Sequence, residues 1–111
     1  VDPLAEVRKE FSQGLPQRLE AMQGALAVLR DGYDEGRAEI FYHRAHSLKG
    51  TAASFDADEL AKHAAELADL GRRWMERKAV KAAEVEQAEA ALHRLDAAMQ
   101  AYRREVEGEA R

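Results

Sequence analysis

Apolar residues recur along this chain at alternating intervals of three and four, the spacing that lays a stripe down one side of an α-helix. Leu15, Leu19, Met22, Leu26 and Leu29 form one stripe, which stops at Asp31-Gly32. Asp34 can cap a second, carried by Phe41, Ala45, Leu48, Ala52 and Phe55. A third, Leu60, Ala64, Leu67, Gly71 and Trp74, follows Asp56-Ala57-Asp58-Glu59, which reads as a capping box with Asp56 in the cap. The last runs through Val85, Ala88, Leu92, Leu95, Met99, Tyr102 and Val106, and its start near Lys78 to Lys81 is poorly marked.

Ahead of these, Asp2-Pro3 is a helix start and puts Leu4, Val7 and Phe11 on one face. Ser12, Gly14 and Pro16 then predict a break, because a proline inside a helix removes a backbone donor and crowds the preceding turn. Four long stripes and short connections predict an all-α fold, an antiparallel up-and-down four-helix bundle with a short N-terminal capping helix.

Composition narrows the function. A chain of 111 residues fits a single domain, 1–111, and is short for an enzyme that must also enclose a nucleotide. It begins at Val1 rather than Met, which leaves open an origin in a larger protein. There is no cysteine, hence no disulfide framework and no thiolate metal site. Apolar runs fall short of the roughly 20 residues that span a bilayer, and the N-terminus has no signal-peptide pattern, so a cytoplasmic location without membrane insertion is expected. The 17 Lys and Arg are interleaved with 21 Asp and Glu, giving a net charge of −4 and no basic stripe for nucleic acid.

The second stripe leaves a contrasting face. At about 100° per residue, its centre lies about 140° from His46, which therefore points to solvent. Gly50, Lys49 and Ala53 all fall within about 60° of His46 on the same wheel. Helical side chains lean toward the N-terminus, so Lys49 can reach back toward an anion on the His46 ring. Gly50 costs about 1 kcal/mol relative to alanine in mid-helix; it either clears space beside the imidazole or lets another helix pack closely. A nucleophile, a cation and a cleared surface suit phosphoryl transfer between proteins. Hydrolysis is not suggested, since neither a Gly-rich phosphate loop nor a carboxylate cluster for magnesium is visible.

Residues 43–60, His-Arg-Ala-His-Ser-Leu-Lys-Gly-Thr-Ala-Ala-Ser-Phe-Asp-Ala-Asp-Glu-Leu, resemble the signature of histidine-containing phosphotransfer domains, A-H-x-L-K-G followed by small residues. The resemblance implies a four-helix phosphocarrier in a two-component His-Asp phosphorelay, with no autonomous kinase or phosphatase activity. It implies that His46 accepts the phosphoryl group through Nε2, that Lys49 steadies its charge and that Gly50 opens access. Tyr42, His43, Lys49, Gly50, Ala53 and Lys62 are the expected partner-binding residues. The implied partners are a response-regulator receiver domain or a hybrid sensor histidine kinase; the magnesium sits on the receiver, and this chain binds no cofactor. Where the family usually has glycine, ten residues after the histidine, this chain has Asp56, which can cap the next helix or adopt left-handed backbone angles.

Three other readings compete. One makes the bundle the phospho-accepting module of a larger histidine kinase, and another a non-catalytic docking module of the same fold. A metal-binding bundle on His43, His46 and His63 is a weaker rival. Trp74 and Phe55 read as core aromatics, and Arg44 with Lys49 and Lys62 as a basic fringe for an acidic partner. The exposed site and closed stripes favour a monomer.

Overall fold

A computed structural model describes residues 3–109. Among them the chain forms four α-helices and no strand: α1 (Pro3–Leu29), α2 (Glu35–Ser54), α3 (Asp58–Arg77) and α4 (Ala82–Glu109). Connections this short force consecutive helices to run antiparallel. Each helix packs on its neighbours in the chain, and α1 closes against α4, giving an up-and-down bundle of 48 × 20 × 19 Å. The predicted stripes meet along its axis, where Leu15, Met22, Phe41, Leu48, Leu67, Trp74 and Leu95 are fully buried. Phe41 and Trp74 pack with ring centroids 5.1 Å apart.

The N-terminal region departs from the expectation. No separate capping helix exists, for α1 runs unbroken through Pro16. Pro16 is exposed while Phe11, Ser12, Leu15 and Leu19 are buried, so the packed side of the helix continues across the proline. Tertiary burial outweighs the local preference for a break. Leu4 and Val7 do not share Phe11's burial; they are 59% and 48% exposed. The reason is length. α1 and α4 have 27 and 28 residues against 20 each for α2 and α3, so their outer ends run past the α2–α3 turn and lack two of the four walls. Asp2 lies outside the described residues.

The ends of α2 are firmly closed. The Asp34 side chain accepts a hydrogen bond from the Arg37 amide at 2.9 Å, as its position predicts for an N-cap. At the other end the Ala57 amide donates to the Ala52 carbonyl at 2.9 Å and the Asp56 amide to the Ala53 carbonyl at 3.1 Å. This is a Schellman turn, in which one residue must be left-handed, and Asp56 takes that place with φ 57°. The capping-box reading is therefore corrected. Asp56 terminates α2, and the N-cap of α3 is Ala57, which has no side-chain cap.

The α3–α4 junction is held by one carboxylate. Glu84 accepts from the Trp74 indole N–H at 3.2 Å, from the Lys81 amide at 3.1 Å and from the Arg77 guanidinium. The bond to its own helix start is half of a capping box and fixes where α4 begins. Arg77 above all, with the Lys81 amide and Trp74, holds the Glu84 carboxyl below its ordinary value against the opposing effect of burial. Close by, Lys78 ties the junction to the start of α2 through Glu35 at 2.8 Å.

Candidate functional site

α2 presents the site because its inner face is filled with small residues. Ala38, Ala45 and Ala52 are buried there beside Phe41 and Leu48, and α3 answers with Ala64, Ala68 and Gly71. Small side chains let two helices approach closely, and α2 and α3 make the most extensive backbone contact of any helix pair. An alanine at Gly71 would bring its Cβ within 3.1 Å of both Cα and Cβ of Tyr42. Gly71 therefore sets how near the two helices lie at Tyr42.

His46 is exposed midway along α2, as the wheel predicts. Tyr42, one turn earlier and half-buried, stacks on the imidazole with ring centroids 5.5 Å apart and planes inclined by 16°. His43 meets the same phenol edge-on at 5.2 Å. His43 and His46 lie on the outward face of α2. Lys49 and Ala53 are exposed further along it, and among the described residues no carboxylate pairs with Lys49. At Gly50 a Cβ would meet nothing within 4 Å. Close packing between helices thus does not explain this glycine.

Two further hydroxyls on α2 bond back to its carbonyls here. Thr51 donates to the Ser47 carbonyl at 3.0 Å and Ser54 to the Gly50 carbonyl at 3.1 Å. Their only signal was a Ser, Thr, Ser series at intervals of four and three.

Other residues fall away from His46. Lys62 lies on α3 about 180° around the wheel from Gly71, hence on the solvent side of that helix. Arg44 lines a groove between α1 and α2 with Arg37, Ile40 and Val28, on the flank away from α3, so the basic fringe of Arg44, Lys49 and Lys62 does not form one cluster. His63 is buried on α3, 3.5 Å from Glu59. Among the described residues no group of three or more His, Cys, Asp or Glu side chains is placed to hold a metal ion. Phe55 is only partly buried and stacks on Phe11 at 5.1 Å. No helix among the described residues is long and apolar enough to cross a membrane.

The arrangement offers an exposed imidazole that meets an aromatic ring one turn earlier, with an ammonium one turn along that no carboxylate among the described residues pairs. In comparisons with known proteins, a family model described as the Hpt domain matches residues 6–105. No curated protein and no solved structure matches the chain.

Proposed function

The chain belongs to the Hpt domain family, whose members carry phosphoryl groups on histidine in His-Asp phosphorelays, and on that premise we propose that His46 is the residue that carries it here. The observation behind this reading is the exposed imidazole at the middle of α2, beside a glycine whose missing side chain leaves open space.

In the forward step, neutral His46 holds its proton on Nδ1 and directs the Nε2 lone pair at the phosphorus of a partner's aspartyl phosphate. The N–P bond forms, the P–O bond to the partner's carboxylate breaks, and that carboxylate leaves with the electron pair. The ring retains the Nδ1 proton and becomes cationic. Lys49, which pairs with no carboxylate among the described residues, faces the added negative charge of the phosphoryl oxygens. The surface over Gly50 admits the partner's backbone. We assign magnesium to the receiver, where it would neutralise charge on the phosphoryl group and the leaving carboxylate. The partners that fit are a receiver domain or the receiver of a hybrid kinase, acting on a single cytoplasmic carrier domain that has no kinase or phosphatase activity of its own.

The test is incubation with a receiver domain phosphorylated with labelled phosphate. Transfer of an acid-labile, base-stable label to the wild type and its loss in His46→Gln are expected. An equally labelled His46→Gln variant would overturn the assignment to His46, and a wild type that takes no label across a panel of receivers would favour the docking-module reading.

A further inference from the structure

We propose that Tyr42 is a positioning residue for the phosphoryl step: its phenol, set in place by the close approach of Gly71, backs one face of the His46 ring and stabilises the imidazolium formed there. This deepens, and rests on, the reading of His46 as the acceptor.

Position comes first. A histidine on a helix surface has several open rotamers, and its side chain leans toward the N-terminus, where residue 42 lies one turn earlier. The Tyr42 ring fills that direction and meets the imidazole nearly parallel, at 5.5 Å and 16°. Tyr42 is itself constrained, since its ring packs against the buried core and its Cα and Cβ face Gly71 so closely that an added methyl would come within 3.1 Å. The edge of His43 borders it at 5.2 Å. A ring held this way restricts the rotamers of its neighbour and reduces the entropy lost on reaching the reactive geometry.

The stack also leaves the chemistry unobstructed. The Nε2 lone pair lies in the imidazole plane, whereas Tyr42 covers only a face, so in-line approach to phosphorus stays clear. Charge then favours the same arrangement. His46 is neutral before attack and cationic once the N–P bond has formed and the aspartyl carboxylate has left, because the Nδ1 proton remains. The electron-rich face of a phenol attracts a cation more than a neutral ring. Tyr42 therefore stabilises the product-like transition state more than the ground state, which raises rate rather than docking affinity.

Two substitutions separate this from a structural role. Tyr42→Leu keeps apolar bulk but removes the π face, and Tyr42→Phe keeps both. With a phosphorylated receiver at saturation, Tyr42→Leu should slow the maximal transfer rate about two- to fivefold, the range for an exposed cation over an aromatic face. Tyr42→Phe should restore the rate. In NMR spectra the His46 ring protons should move when the stacked ring current is lost in Tyr42→Leu and keep their shifts in Tyr42→Phe. A folded Tyr42→Leu with wild-type maximal rate, or with unaltered His46 ring shifts, would overturn the proposal. Absence of label in the wild type itself would instead sink the acceptor reading, leaving the ring-current shift to report the stack alone.

Discussion

The α3–α4 junction and the outward face of α2 treat charge in opposite ways. At the junction Glu84 satisfies an indole, a guanidinium and a backbone amide at once, and Lys78 is tied to Glu35. On α2, Lys49 is left without a counter-ion among the described residues, and Gly50 leaves a gap where a side chain would sit. A charge closed within the fold contributes to stability, whereas one held open is available to something outside it. The two regions should therefore separate under mutation, one altering melting and the other transfer.

The largest effect should come from Glu84→Ala, which strands the buried Trp74 indole N–H. Leaving a buried donor unpaired costs about 1–3 kcal/mol, and the lost cap adds to it, so chemical denaturation should show destabilisation near the top of that range. Glu84→Gln, which keeps an acceptor, should lose less. Neither should change the transfer rate of protein that remains folded. Lys49→Ala should do the reverse, slowing transfer roughly three- to tenfold with the denaturation midpoint unmoved, as fits a charge that engages only a docked partner. Wild-type transfer should weaken with salt more than that of Lys49→Ala.

Acid gives a third test. Because the folded state holds the Glu84 carboxyl below its ordinary value of 4.5, the stabilisation is complete above that value and is lost as pH falls through the lowered one. Glu84→Gln should flatten this part of the stability profile, seen as melting temperature against pH. The smallest effect expected is a gain. Asp56 is left-handed at the Schellman turn, so Asp56→Gly should stabilise by about 0.5–1 kcal/mol and leave transfer unchanged. Destabilisation by Asp56→Gly would mean that the aspartate has contacts beyond its backbone angle.

The reading from periodicity captured the four buried stripes and the exposure of His46, because both depend only on which residues share a helix face. The unbroken α1 was less visible. Phe11, Leu15 and Leu19 continue one stripe past Pro16, and their burial outweighs the break that proline favours locally. Leu4 and Val7 were misplaced for another reason, since their exposure depends on where α2 and α3 stop. The Asp56 misreading shows how a helix end and a helix start can share a tetrapeptide: only the backbone bonds from Asp56 and Ala57 decide between them. At the site, His46, Lys49 and Gly50 were legible as a local motif. The pairing of Gly71 with Tyr42 was not, since it joins residues far apart in sequence whose contact depends on the pitch of two helices.

The closed ends of α2 bear on how His46 behaves over time. Helices fray from their termini, yet this one begins at a side-chain cap and ends in a paired turn, with His46 far from both. Amides around His46 should then exchange with solvent deuterium only through opening of the whole bundle, on the slowest timescale the molecule has. Such a carrier meets each partner with the same rigid profile. Discrimination among receivers would then rest on the partners' own loops, and the helix would lose little conformational freedom on docking.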